Sequence, residues 1–132
     1  LGSLYPFGYG LSYTTFEYSD LTIDQKTKHS ESDIQVSFKI KNTGKREGDE
    51  VVQLYVKDEV SSVTTYESQL RGFERVHLLP NETKTVHFTL HPDDLELLDK
   101  HMNWTVEPGF FQVLVGSSSE NIHLKGKFEI ID

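Results

Sequence analysis

Ile34, Val36, Phe38 and Ile40 alternate with Gln35, Ser37, Lys39 and Lys41. A period of two with one apolar and one polar face belongs to a β-strand that lies half in a core and half in water. The same period recurs along the chain. Phe16 and Tyr18, then Leu21 and Ile23, read as a first strand whose phase changes near Ser19 and Asp20, which predicts a bulge or bend. Asn42-Thr43-Gly44 carries turn chemistry, and a strand from Glu50 to Val56 follows. Val52, Leu54 and Val56 face its core side, and Val51, Gln53 and Tyr55 face outward, exposed or covered by a neighbour. Lys57 to Gln69, rich in Ser and Thr, reads as a long loop, and Leu70, Phe73, Val76 and Leu78 as a short, bent strand interrupted by Gly72. Leu79-Pro80-Asn81-Glu82 predicts a tight turn with proline presetting φ. Val86, Phe88 and Leu90 then share one face of a strand from Lys84. His91-Pro92-Asp93-Asp94 with Leu95, Leu97 and Leu98 predicts one or two helical turns. After a turn at Glu107-Pro108-Gly109, Phe111, Val113 and Val115 give a strand ending at Gly116. Asn121 marks the last turn, before Ile122, Leu124, Phe128 and Ile130. Seven or eight short strands without long helices bury their apolar faces by stacking two sheets about 10 Å apart. The fold class expected is all-β, an antiparallel sandwich.

Length supports one core rather than two, since 132 residues fill a single domain. The first segment breaks the pattern. Tyr5, Phe7, Tyr9, Tyr13, Phe16 and Tyr18 place six rings in the first 18 residues, with Gly2, Gly8 and Gly10 between them. Chain ends are usually polar and mobile, so this composition reads as a segment of a larger polypeptide. Residues 1–15 are expected to be an aromatic arm docking on a preceding domain, with Tyr5, Phe7, Tyr9 and Tyr13 as interdomain contacts, and residues 16–132 the sandwich. The alternative is that the arm folds back on its own sandwich. A net charge of -8 repels phosphate backbones, so nucleic acid is not an expected partner. The absence of cysteine removes thiolate chemistry and leaves the redox compartment open. No apolar stretch approaches the roughly 18 residues of a membrane span.

Chemistry is sparse. Glycoside hydrolysis needs two carboxylates about 5 to 9 Å apart across a sugar site, and the acidic residues here fall in turns or on polar strand faces. Glu47, Asp49 and Glu50 read as a solvated turn edge rather than a calcium site. Asp93, Asp94, Glu96 and Asp99 read as the surroundings of a helix start. The histidines His29, His77, His87, His91, His101 and His123 form no metal-binding spacing, and no pattern requires a cofactor. Asn81-Glu82-Thr83 and Asn103-Trp104-Thr105 are glycosylation sequons, a pattern frequent by chance. Two rings have the character for stacking on a sugar or on another domain. Trp104 lies beside the Pro108 turn and reads first as a lid on one end of the sandwich, and Tyr66 stands in the long polar loop.

Leu4-Tyr5-Pro6-Phe7-Gly8-Tyr9-Gly10-Leu11-Ser12-Tyr13-Thr14-Thr15-Phe16 resembles the leading segment of the fibronectin type III-like domain of glycoside hydrolase family 3 enzymes, the β-glucosidases and β-xylosidases. Lys41-Asn42-Thr43-Gly44, Gly48-Asp49-Glu50-Val51-Val52-Gln53-Leu54-Tyr55-Val56 and Gln69-Leu70-Arg71-Gly72-Phe73-Glu74-Arg75-Val76 continue the resemblance. Val106-Glu107-Pro108-Gly109, Val115-Gly116-Ser117-Ser118-Ser119 and Leu124-Lys125-Gly126-Lys127-Phe128 complete it in order. It implies an immunoglobulin-like, fibronectin type III-like β-sandwich. It further implies a retaining β-glucosidase as parent, active in carbohydrate catabolism through a covalent intermediate. In such enzymes the nucleophilic Asp sits on a barrel-type domain and the acid/base on an adjacent α/β domain, both outside this chain. The chain itself is then a non-catalytic accessory domain whose partners are the catalytic domains of the same polypeptide. The competing expectation is a carbohydrate-binding module that recruits β-linked oligosaccharide through Tyr66 or Trp104. Members of the family are often exported, which implies a periplasmic or secreted parent. The sequence departs from the family near Tyr66, where proline is common, and at Pro80-Asn81-Glu82, where the family has Pro-Gly-Glu.

Overall fold

The computed structural model describes residues 14–24, 27–29, 33–59, 68–95, 97–98, 104–105 and 109–131. The strands among them are β1 (Phe16–Ile23), β2 (Thr27–His29), β3 (Ile34–Asn42), β4 (Gly48–Asp58), β5 (Gln69–Leu78), β6 (Thr83–Leu90), β7 (Leu97–Leu98), β8 (Trp104–Thr105), β9 (Gly109–Ser118) and β10 (Asn121–Ile131). Seven of these are eight residues or longer, which matches the count expected from the alternation. With β2 they form a three-stranded sheet, β1-β3-β6, and a five-stranded sheet, β2-β10-β9-β4-β5. The long strands pair antiparallel, while the three-residue β2 runs parallel to β10.

Alternation dictates the core. Val36, Phe38 and Ile40 of β3 with Val86 and Leu90 of β6 meet Val52 and Leu54 of β4, Phe111, Val113 and Val115 of β9, and Phe128 and Ile130 of β10, all buried. Phe38 stacks between Tyr18 and Phe88 at centroid distances of 6.0 and 6.2 Å, and Phe111 stacks on Phe128 at 5.4 Å. The phase change in β1 is a bulge between Ser19 and Thr22, with Asp20 at φ 55°. One extra residue there returns Ile23 to the core side that Tyr18 already occupies. At the β5–β6 turn Pro80 precedes Asn81 at φ 66°, and the Glu82 amide donates to Leu79 O at 2.9 Å. This is the residue order of a type II turn, and asparagine tolerates its left-handed position.

Three expectations change. The helical piece is a single 3₁₀ turn, Pro92–Leu95, and Leu97 and Leu98 are extended, paired with Thr105 and Trp104. The turn closes on itself because the His91 amide donates to Asp94 Oδ2 at 2.8 Å and the Asp94 amide to His91 O at 2.9 Å. Strand β5 is ten residues long rather than short, because its bend is one local register shift opposite Leu54 and Tyr55. The strand expected over 50–56 runs from Gly48 to Asp58, taking two residues from the long loop.

Candidate functional site

The four arm residues Tyr5, Phe7, Tyr9 and Tyr13 lie outside the described residues, as does Tyr66. The backbone of Trp104 is described, in β8 opposite Leu98. The connections carrying Tyr66 and Trp104 both attach to one end of the five-stranded sheet. Asp58 at the end of β4 pairs with Phe111 near the start of β9, and the Glu59 amide donates to Phe110 O at 3.1 Å. Lys127 closes this end, 3.2 Å from Glu59 Oε2 and 5.2 Å from the Phe110 ring centroid.

The other end, where β1 begins, holds a polar knot around Asn42, the one polar side chain fully buried among the described residues. Its Oδ1 accepts from Thr14 Oγ1 at 2.8 Å and from the Gly44 amide at 2.9 Å. Its Nδ2 donates to Arg46 O at 2.7 Å and to Leu78 O at 3.1 Å. The Asn42 amide donates to Glu82 O at 3.0 Å, and its carbonyl accepts from the Asn81 amide at 2.8 Å. Two donors and two acceptor sites of the carboxamide are thus filled, which is what burial demands. The motif Asn42-Thr43-Gly44 by itself signals only a turn. The signal that could have found it is position: an asparagine in phase with Phe38 and Ile40 falls on the core side.

Ionisable groups gather on the turn side of β4 and β5. His77 lies between two carboxylates, with Nε2 2.9 Å from Glu47 Oε1 and Nδ1 against Asp49 Oδ1. Arg75 donates to Asp49 Oδ2 from Nε at 2.7 Å and also reaches it from Nη2. Hydrogen bonds from His77 and then Arg75 hold the Asp49 carboxyl below its ordinary 3.8. Asp49, and after it Glu47, raise His77 above 6.5, since both ring nitrogens face acceptors and imidazolium suits them. A group raised on folding adds stability below its unfolded value, and that contribution is lost as pH rises through the folded value. An NMR titration of His77 is therefore expected to show a midpoint above 6.5, and a midpoint at or below 6.5 would contradict the pairing. Inside the rim, Tyr18 donates to Glu50 Oε2 at 3.0 Å and stacks on His123 at 4.3 Å. Burial raises Glu50 above 4.5, and burial with the neighbouring Glu50 charge pushes the Tyr18 hydroxyl above its ordinary range.

This cluster does not suit acid/base chemistry on a sugar. Asp49 is held ionised on an exposed edge, and Glu50 is tied to a tyrosine, whereas a glycosidase acid needs a raised pKa facing a second carboxylate across an open cleft. Among the described residues no group of three or more His, Cys, Asp or Glu could hold a metal ion, and no helix is long and apolar enough to cross a membrane. What the surface does offer is apolar. Phe73 is 69 % exposed and Leu70 46 %, both on the outer face of the edge strand β5, where Leu70 lies opposite Tyr55 and Tyr55 opposite Leu114.

A family model described as the fibronectin type III-like domain matches residues 50–119, from the start of β4 through β9. The chain belongs to this family. Fibronectin type III-like domains similar to this one occur within much larger glycosidases. It is 52 % identical over 123 residues to the thermostable beta-glucosidase B of Acetivibrio thermocellus, covering 92 % of this chain and 16 % of the relative. It is 48 % identical over 122 residues to a beta-xylosidase of Formosa agariphila, covering 92 % of this chain and 17 % of the relative. The crystal structure of a beta-glucosidase from Listeria innocua in complex with glucose superposes with a TM-score of 0.85 at 34 % identity, over 97 % of this chain and 18 % of that one. The fibronectin type III-like domain thus spans about a sixth of the length of the curated relatives it matches.

Proposed function

We propose that this domain is a non-catalytic structural accessory part of a retaining β-glycosidase of carbohydrate catabolism, where it braces the catalytic domains of the same polypeptide. The observation that carries the reading is coverage: nearly the whole chain corresponds to about a sixth of a β-glucosidase and of a β-xylosidase. In this reading Tyr5, Phe7, Tyr9 and Tyr13 dock residues 1–15 on the neighbouring domain, and Tyr66 and Trp104 make interdomain contacts at the opposite end. The outward Phe73 and Leu70 support it, because large apolar side chains grouped on an edge strand leave hydrophobic surface for a partner to cover. An NMR titration of the isotope-labelled chain with β-gluco- and xylo-oligosaccharides tests the reading. No shifts at millimolar sugar are expected. Saturable shifts near Trp104 or Tyr66 would replace bracing with carbohydrate binding, and turnover of an aryl β-glucoside by the pure chain would overturn the non-catalytic assignment.

A further inference from the structure

We infer that Asn42 and Gly44 form an anchor that fixes the direction in which the chain enters the sandwich at Thr14 and Thr15. The geometry of the anchor stands on this chain alone, and its purpose rests on the bracing reading above.

Strand β1 begins at Phe16, opposite Asn42. A strand end normally frays, because the residues before it have no ladder partners. Here the hold extends two residues further. The Thr43 amide donates to Thr15 O at 2.8 Å, and the Thr15 and Thr43 hydroxyls are 2.7 Å apart. Thr14 then turns inward and donates its hydroxyl to Asn42 Oδ1, the buried centre of the knot. Gly44 makes that turn sterically possible. A Cβ at position 44 would overlap Thr14 Oγ1, come within 2.8 Å of Thr14 Cβ and lie 3.1 Å from the Thr15 amide nitrogen. The contact is with the last residues before the sandwich rather than with the core.

The same carboxamide reaches Arg46 O in the β3–β4 connection and Leu78 O at the end of β5, while the Asn42 backbone binds Glu82 and Asn81 in the β5–β6 turn. Thr14 is therefore tied to both sheets through one side chain. An arm held only by its β1 ladder could pivot about Phe16. A chain held at Thr14 as well gives Thr14 and Thr15 one orientation relative to both sheets.

Thr14→Ala, Thr14→Ser and Gly44→Ala, made in the intact 132-residue chain, separate this role from ordinary stability. Loss of one hydrogen bond at the anchor predicts about tenfold faster exchange of the Thr43 amide in Thr14→Ala and Gly44→Ala. It predicts chymotryptic cleavage after Tyr13 accelerated to a similar degree. Residual dipolar couplings of the Thr14 and Thr15 amides should depart from the frame of the sheets, while those of β4 and β9 stay as in the parent chain. Thr14→Ser, which keeps the hydroxyl, should behave as the parent chain does. Unchanged exchange and couplings in Thr14→Ala, or a Thr14→Ser variant as loose as Thr14→Ala, would overturn the anchor. If Gly44→Ala failed to fold, Thr14→Ala would still decide, because it leaves Asn42 and its other three side-chain bonds in place. None of these outcomes depends on what the arm docks against, so failure of the bracing reading would be seen separately.

Discussion

Asn42→Ala is expected to destabilise the sandwich by about 3 kcal/mol, lowering its melting temperature by roughly 12 °C. The substitution removes four side-chain hydrogen bonds at a fully buried position and leaves the carbonyls of Leu78 and Arg46 and the amide of Gly44 to find other partners. The size follows from the asymmetry of buried polar groups, in which a paired carboxamide contributes modestly but each orphaned partner carries its full desolvation cost. Urea unfolding followed by tryptophan fluorescence and far-UV circular dichroism would measure it. A loss below about 1 kcal/mol would mean that water replaces the side chain, and that the knot is not closed to solvent.

Phe38→Ala is expected to cost more, about 4 kcal/mol, a large share of the 5 to 15 kcal/mol typical of a whole domain. Its ring is fully buried at the centre of the three-stranded sheet, and removing it leaves Tyr18 and Phe88 facing a cavity. Phe73→Ala is the contrast. That ring is 69 % exposed in the chain alone, so its truncation should change stability by less than about 0.5 kcal/mol. Two phenylalanines of one sandwich thus separate the residues that hold the fold from those available to a partner.

The strands were legible because a two-residue period with Val, Ile and Phe on one side has few other interpretations. Even the bulge in β1 could be read, as the change of phase between Tyr18 and Leu21. What escaped was set by tertiary contacts. Leu95, Leu97 and Leu98 look helical by local pattern, yet the second and third pair antiparallel with Thr105 and Trp104, an extended pairing that the spacing of the leucines does not signal. Asn42 and Gly44 read as a turn, and neither the hydrogen bond from Thr14, 28 residues earlier, to Asn42 nor the close approach of Thr14 to Gly44 has a local signature. His77 falls on a solvent-facing position as the alternation predicts. Its partners Glu47 and Asp49, 30 and 28 residues away, come to it only through the β4–β5 register. The family was legible from ordered motifs spread along the chain, whereas the contacts proposed for Tyr5, Phe7, Tyr9, Tyr13, Tyr66 and Trp104 concern residues whose neighbours would come from elsewhere in a larger protein.

Thermal inactivation of the full polypeptide that carries this domain, compared with the same polypeptide lacking these 132 residues, tests the bracing role most directly. Bracing predicts that the deletion lowers the inactivation temperature of β-glycosidase activity, and that the isolated domain added in trans restores part of the loss. A truncated enzyme that keeps its full activity and its inactivation temperature would contradict the account.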